Sequence, residues 1–376
     1  MKTKALVFVS LILVVAIFAS PGLMPTATAQ DVSDVQVLML ITESFGWNYF
    51  DAKEILESWG VSVSTIAYAL DTNVSGCVNK PDSFAIADYL IQDIEFSMVR
   101  EFDALFIPSG GHWSGLISST MVKDFIEYAH TNGVLIATTC IGNRVVAEAN
   151  GIVNGTSVVN YVIHDTDEHM TEAGAILRYG LEAVIDNQIV TGAGGGGVSG
   201  GGYLQAPTSE ICAAMVREAL DYSYVVQGSV LPTTAESGTT FDISVVVTDL
   251  DTELGSLFSV DVNISEVQAR IYTAENRTLV DTIELTDPEG DWTYEGEFTG
   301  DIEGYYVVDF EVEDTNSSLE VEREVAGFTV GVEPTTTTTS GTDTTDLILD
   351  PILVGGMLVS GLVVLVIVVV LRKRYT

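Results

Sequence analysis

The stretch GVLIATTCIGNRVVAEANG, residues 133–151, decides the fold. Residues 134–139 are a continuous apolar run of strand length, and a helical pattern begins directly after Cys140. A strand that turns sharply into a helix pushes its turn residue out at the sheet edge, as in a nucleophile elbow. A thiol there faces the first amides of the helix, whose dipole favours the thiolate. Gly142 lets the helix start close against the strand. The competing reading is a buried core cysteine, the ordinary fate of a lone thiol. The junction position favours the exposed elbow.

Outward from that stretch, residues 34–222 alternate strand and helix. VQVLMLI (35–41) reads as a strand, WNYFDAKEILESWG (47–60) as a helix ended by Gly60, and VSVSTIAY (61–68) as a second strand. ALFIP (104–108) is a further strand, followed by a helix over about 118–131. EAVIDNQIVTG (182–192) and a closing helix over 207–222 complete the series. Short apolar strands between amphipathic helices predict a parallel sheet covered on both faces, with its ligand crevice at the carboxyl ends of the strands.

From 224 to 332 the pattern changes to near period-two alternation with turn residues between the runs, as in FDISVVVTDL and GYYVVDFEVED. Six or seven such strands predict an immunoglobulin-like or fibronectin-like β-sandwich, read as a spacer. Asp249, Asp251 and Glu253 supply calcium-type ligands, though a solvated acidic turn is the commoner outcome for such a run.

The two ends suggest a surface protein. Residues 1–29 have a basic start, the apolar core ALVFVSLILVVAIFA and a small-residue site ATA, which predicts a signal peptide. An uncleaved anchor is the alternative, but the core is short for a span. Residues 352–371 are apolar and long enough to cross a bilayer, with RKR next to them placing the tail at 372–376 in the cytoplasm. The Thr-rich segment 333–346 reads as a stalk. Sequons at Asn73, Asn154, Asn263, Asn276 and Asn316 fit an extracellular, glycosylated placement. With 53 acidic against 15 basic residues, the formal net charge is −38, which argues against nucleic acid and anionic lipid surfaces as partners.

EFDALFIPSGGHWSGL (101–116) and VKDFIEYAHTNGVLIATTCIGNRVVAEANGIVNG (122–155) together resemble the ThiJ/PfpI family, of class I glutamine amidotransferase-like fold, over roughly residues 35–222. The resemblance implies a flavodoxin-like domain with Cys140 at the elbow. It also implies oxyanion donors from the turn Ser109, Gly110 and Gly111 and from the Ile141 amide. Activities in the family include peptidase, glyoxalase-like and deglycase-type hydrolysis, chaperone action and oxidant sensing; many members dimerise, so a homodimer is compatible with it. No cofactor or metal is implied.

Departures from the family pattern bear on activity. The position of the family's first-helix Glu, counted back from Gly60, is Asn48; the residue after the cysteine is Ile141, where peptidases have His; and the place of another branch's His is Asn160. An amide donates hydrogen bonds but exchanges no proton at neutral pH. His112, directly after the Gly pair, is a substitute candidate, as are His164 and His169. The run His164, Asp165, Asp167, Glu168 and His169 has metal-ligand types but no established spacing, so no metal is expected there. GAGGGGVSGGGY (192–203) reads equally as a lid over the crevice or as a plain linker. Cys77 and Cys212 are a candidate disulfide pair.

These readings predict a membrane-anchored extracellular protein whose Cys140 acts on a carbonyl or acyl compound, as a peptidase- or deglycase-like hydrolase. The rival is a non-catalytic ligand-binding or redox-sensing domain that has lost its acid–base groups. A purely adhesive role for the sandwich ranks last. What separates the first two is whether a His or carboxylate lies within hydrogen-bond reach of Cys140.

Overall fold

The computed structural model describes residues 32–77, 83–194, 207–248 and 263–331. The signal segment, most of the Gly-rich run, the acidic turn at 249–253, the stalk and the apolar run 352–371 lie outside the described residues. Among the described residues no helix is long and apolar enough to cross a membrane.

The first part has the strands β1 (Gln36–Ile41), β2 (Ser62–Ala67), β3 (Asn73–Ser75), β4 (Phe84–Ile86), β5 (Tyr89–Leu90), β6 (Ala104–Ile107), β7 (Leu135–Thr139), β8 (Ser157–Val159), β9 (Ile176–Arg178), β10 (Ala183–Asp186) and β11 (Ile189–Gly192). Its helices are α1 (Asn48–Ser58), α2 (Trp113–Ile117), α3 (Thr120–Thr131), α4 (Gly142–Ala147), α5 (Thr166–Glu172) and α6 (Thr208–Ala219). Strands β11, β7, β6, β1, β2 and β5 lie side by side and run parallel, which is the flavodoxin-like sheet. Both faces are covered. Val37, Met39 and Ile41 of β1 pack with α1 and α6, whereas Leu38 and Leu40 pack with α3 and α4. Five apolar residues in a row are therefore a strand buried on two sides.

The second part has β12 (Val225–Leu231), β13 (Thr234–Ala235), β14 (Thr239–Val247), β15 (Ile264–Thr273), β16 (Leu279–Glu284), β17 (Thr293–Gly300), β18 (Gly304–Asp314) and β19 (Ser318–Val330). Strands β12, β14 and β17 form one sheet. It faces β15, β18 and β19 across a shared core in which the Phe241 and Phe328 rings lie 4.5 Å apart.

Two features depart from the sequence reading. Residues 182–192 are two strands rather than one: β10 and β11 pair antiparallel across a two-residue turn at Asn187 and Gln188, both with left-handed φ (53° and 59°). The sheet is therefore mixed at that end. In addition, β19 pairs in parallel with β10, Ala183 opposite Ser318 through Asp186 opposite Val321. The α/β sheet and one sheet of the all-β region are thus a single continuous sheet. Pairing with β19 covers an edge that β10 would otherwise leave open.

Buried charges fasten the junction. Arg217 of α6 pairs with Glu320 of β19 at 2.9 Å, and Glu320 also accepts from the Tyr224 amide and the Ser223 hydroxyl. Arg178 and Arg270 both pair with Glu311 of β18. A buried carboxylate is tolerated only when paired and hydrogen-bonded in this way.

Candidate functional site around Cys140

Strand β7 ends at Thr139, and Cys140 takes a left-handed φ of 56° before α4 begins at Gly142. A cysteine in that conformation is strained, and the surrounding packing must hold it there. The close approach is visible at Gly142, where an added Cβ would lie 2.3 Å from Thr138 Oγ1 and 2.7 Å from the Ile107 carbonyl oxygen.

The backbone has the elbow form, but the side chain is not exposed. Cys140 is 5% accessible, under a cluster formed with Ile141, Tyr161, Trp113 and Ile163. Tyr161 Oη lies 3.1 Å from Cys140 Sγ, and the Ile141 amide donates to the same sulfur. Burial raises the thiol pKa, and these two hydrogen bonds only partly oppose it. Burial also raises the Tyr161 phenol, with the neighbouring sulfur adding to the shift. At neutral pH the pair is a thiol beside a phenol.

His112 does not serve the sulfur. It is 1% exposed; Nε2 lies 2.7 Å from the Pro108 carbonyl oxygen, to which it donates, and Nδ1 accepts from the Thr42 amide at 3.4 Å. Burial lowers its pKa to about 4, so the ring is neutral and both nitrogens are engaged with backbone. Asn48 is fully buried, and its Oδ1 accepts from the Ser109 amide (3.0 Å) and hydroxyl (2.8 Å). It holds the turn after β6 instead of exchanging protons. Gly110 in that turn has φ 129° and packs so closely on Gly46 that a Cβ would lie 2.2 Å from the Gly46 nitrogen. Gly111, next to it, is exposed.

The backbone N–H of Asn160 donates to the Arg178 carbonyl oxygen at 2.8 Å. The side chain that reaches the sulfur is the next one, Tyr161, which nothing in the sequence pattern marks. His164 lies against Trp113 with ring centroids 5.3 Å apart and the rings tilted by 31°, and His169 Nδ1 pairs with Glu148 at 3.3 Å. Among the described residues no group of three or more His, Cys, Asp or Glu side chains converges on a metal position. Cys77 and Cys212 are both buried and form no disulfide. Of the sequons, Asn73, Asn154, Asn263 and Asn276 are exposed and Asn316 is half-buried.

Residues 35–199 match the model of the DJ-1/PfpI family. No curated protein matches the chain. Among solved structures, a ThiJ/PfpI domain protein from Brachyspira murdochii is 19% identical, with 50% of this chain and 97% of that one covered at a TM-score of 0.41. DJ-1 from Schizosaccharomyces pombe is 14% identical, with coverage of 50% and 97% and a TM-score of 0.39. A two-domain protein from Anabaena variabilis, with DJ-1/ThiJ/PfpI-like and ferritin-like domains, is 20% identical over 50% of this chain at a TM-score of 0.40. The match spans 47% of that relative's length.

Proposed function

We propose, from the match of residues 35–199 to the model of the DJ-1/PfpI family, that Cys140 is the working group of the chain, taking small carbonyl compounds by reversible addition of its sulfur. The observation that carries this reading is the 3.1 Å contact between Cys140 Sγ and Tyr161 Oη at a left-handed elbow. The sulfur bonds to the carbonyl carbon while the C=O π pair moves to oxygen. The thiol proton reaches that oxygen through Tyr161, whose hydroxyl accepts one proton and passes on its own. Such an addition is redox-neutral and needs no ionised base. The Gly110, Gly111 and Ile141 amides are the proposed donors to the developing oxyanion.

Among the described residues the hydrogen-bond partners of the sulfur are a phenol and an amide, neither an imidazole nor a carboxylate. Peptide hydrolysis would lack general acid–base help worth about 10²–10⁴ in rate, which favours carbonyl capture over a peptidase. A second reading, a ligand-binding or redox-sensing site without turnover, is favoured by the raised thiol pKa. We place this chemistry at the cell surface, with residues 1–29 as signal, 352–371 as anchor and the all-β region, read as immunoglobulin-like, nearer the membrane. Protease treatment of intact cells should then release the described residues.

The test is the rate of Cys140 alkylation by iodoacetamide in the full-length protein, followed by peptide mapping, with and without a small dicarbonyl such as methylglyoxal. Protection that fits one-site competition supports the reading. An unchanged rate at millimolar dicarbonyl sinks it. Consumption of more than one equivalent of dicarbonyl, lost in Cys140→Ser, separates turnover from binding.

A further inference from the structure

We infer that Arg144 is a positioning residue for the Cys140–Tyr161 pair, acting through the backbone of the segment that carries Tyr161. This inference rests on the reading of Cys140 as the working group.

Arg144 lies one helical turn beyond the elbow, on α4, and is 8% exposed. Its Nη1 donates to the carbonyl oxygens of His164 (3.1 Å) and Asp165 (3.4 Å). Its Nη2 pairs with Glu148 at 3.2 Å. His164 and Asp165 are consecutive non-glycine residues with left-handed φ, 56° and 55°. Side chains disfavour that conformation, so it persists only where the surroundings hold it. A buried guanidinium that takes up both carbonyls supplies such a hold, since its planar fork presents several donors at fixed angles.

The segment 160–166 is thus pinned at two ends. At one end the Asn160 backbone N–H donates to the Arg178 carbonyl oxygen at 2.8 Å. At the other, Arg144 holds residues 164 and 165, and the Thr166 hydroxyl donates to the Ile163 carbonyl oxygen at 2.7 Å. Between the pins, Tyr161 and Ile163 reach into the Cys140 cluster. Trp113 belongs to the same cluster, 5.8 Å from the Arg144 guanidinium and in tilted ring contact with His164. Among the described residues, the charged and titratable groups beside Arg144 include Glu148, His169, which pairs with Glu148, Glu172, which pairs with His169, and His164, whose ring lies against Trp113. Arg144 therefore ties the helix that starts at the elbow to the strand of chain whose phenol contacts the sulfur.

The experiment is the pH profile of Cys140 alkylation in the full-length protein, compared among wild type, Tyr161→Phe, Arg144→Ala, Arg144→Lys and the Arg144→Ala/Tyr161→Phe double variant, with melting curves for each. A phenol that donates to the thiolate lowers the thiol pKa. Tyr161→Phe is therefore expected to move the profile up by about one pH unit. Arg144→Ala is expected to move it in the same direction, and the double variant no further than Tyr161→Phe alone. Arg144→Lys, which keeps the charge but lacks the fork, should fall between wild type and Arg144→Ala, and it carries the test if Arg144→Ala does not fold. A profile for Arg144→Ala or Arg144→Lys that coincides with wild type while Tyr161→Phe shifts overturns the inference, even if the melting temperature falls. A Tyr161→Phe profile that does not move overturns the reading of the pair itself.

Discussion

Arg323 of β19 forks onto Asp186 of β10, with Nε donating to one carboxylate oxygen and Nη2 to the other, both at 2.6 Å. Nη2 also reaches the Gly155 carbonyl oxygen at 2.6 Å, and the Ser157 amide donates to the same carboxylate. One side chain from the all-β region therefore completes a polar network under the α/β sheet, across a chain separation of 137 residues. Arg323→Ala leaves the Asp186 carboxylate buried without its counter-charge, which costs about 3 kcal/mol. Urea unfolding should show that loss in a single transition, with probes in the α/β part and in the all-β region moving together. Two separate transitions would contradict the continuity of the sheet.

The elbow thiol itself should behave as a buried one. Burial raises its pKa, so its alkylation midpoint is expected above the free-thiol value of about 8.5. Cys212, fully buried on α6 with its pKa pushed further up, should not react before unfolding. Peptide-resolved alkylation from pH 6 to 10 reads both. A Cys140 midpoint near 6 or 7 would mean that the helix amides outweigh burial.

The turn at Cys140 was legible because its signals are local: an apolar run, one cysteine and a small residue two places on. The helix dipole argument pointed to an ionised, exposed thiol, and burial won because residues 161–163 fold back over it from twenty positions away. Tyr161 carries no periodic or motif signal, and its neighbour Asn160 drew attention only by counting. The turn in 182–192 was missed because Asn187 and Gln188 adopt the paired left-handed conformation without the Asn-Gly signature. Glu311 and Glu320 sit where alternation marks solvent, yet they are buried at a junction that only the non-local pairing of β10 with β19 creates.

At Gly142 the elbow has no room for a side chain. A Cβ there would lie 2.3 Å from Thr138 Oγ1 and 2.7 Å from a β6 carbonyl oxygen, and the latter is backbone that cannot rotate away. Gly142→Ala is expected to destabilise the protein by about 1–3 kcal/mol, against the small gain that alanine brings inside an ordinary helix. Because the shift falls on the first residues of α4, the Ile141 amide should move off the sulfur and the Cys140 alkylation profile should rise as well. Thermal melts and the alkylation profile check the two effects separately. A variant with unchanged stability would mean that α4 slides freely along the sheet.

Glu218 makes the junction sensitive to pH. It lies in the last turn of α6, where the helix dipole already disfavours a carboxylate, and burial together with Glu320 and Glu322 raises its pKa from 4.5 to about 7. Arg217 opposes the shift, but its guanidinium is already paired with Glu320. A raised acid pKa in the folded state means that the native protein keeps a proton which the unfolded chain has released, between pH 4.5 and about 7. The unfolded state then binds fewer protons, so stability falls as pH rises through that window and the full penalty stands above it. Glu218→Gln removes the ionisation. The variant should match wild type near pH 4.5 and gain on it progressively to pH 8, by roughly 1–3 kcal/mol for a half-buried group at about 1.4 kcal/mol per pKa unit. Urea titrations of both proteins at pH 5, 6, 7 and 8 provide the measurement. A stability difference that stays constant across those four values would show that Glu218 ionises as freely in the folded protein as in the unfolded chain.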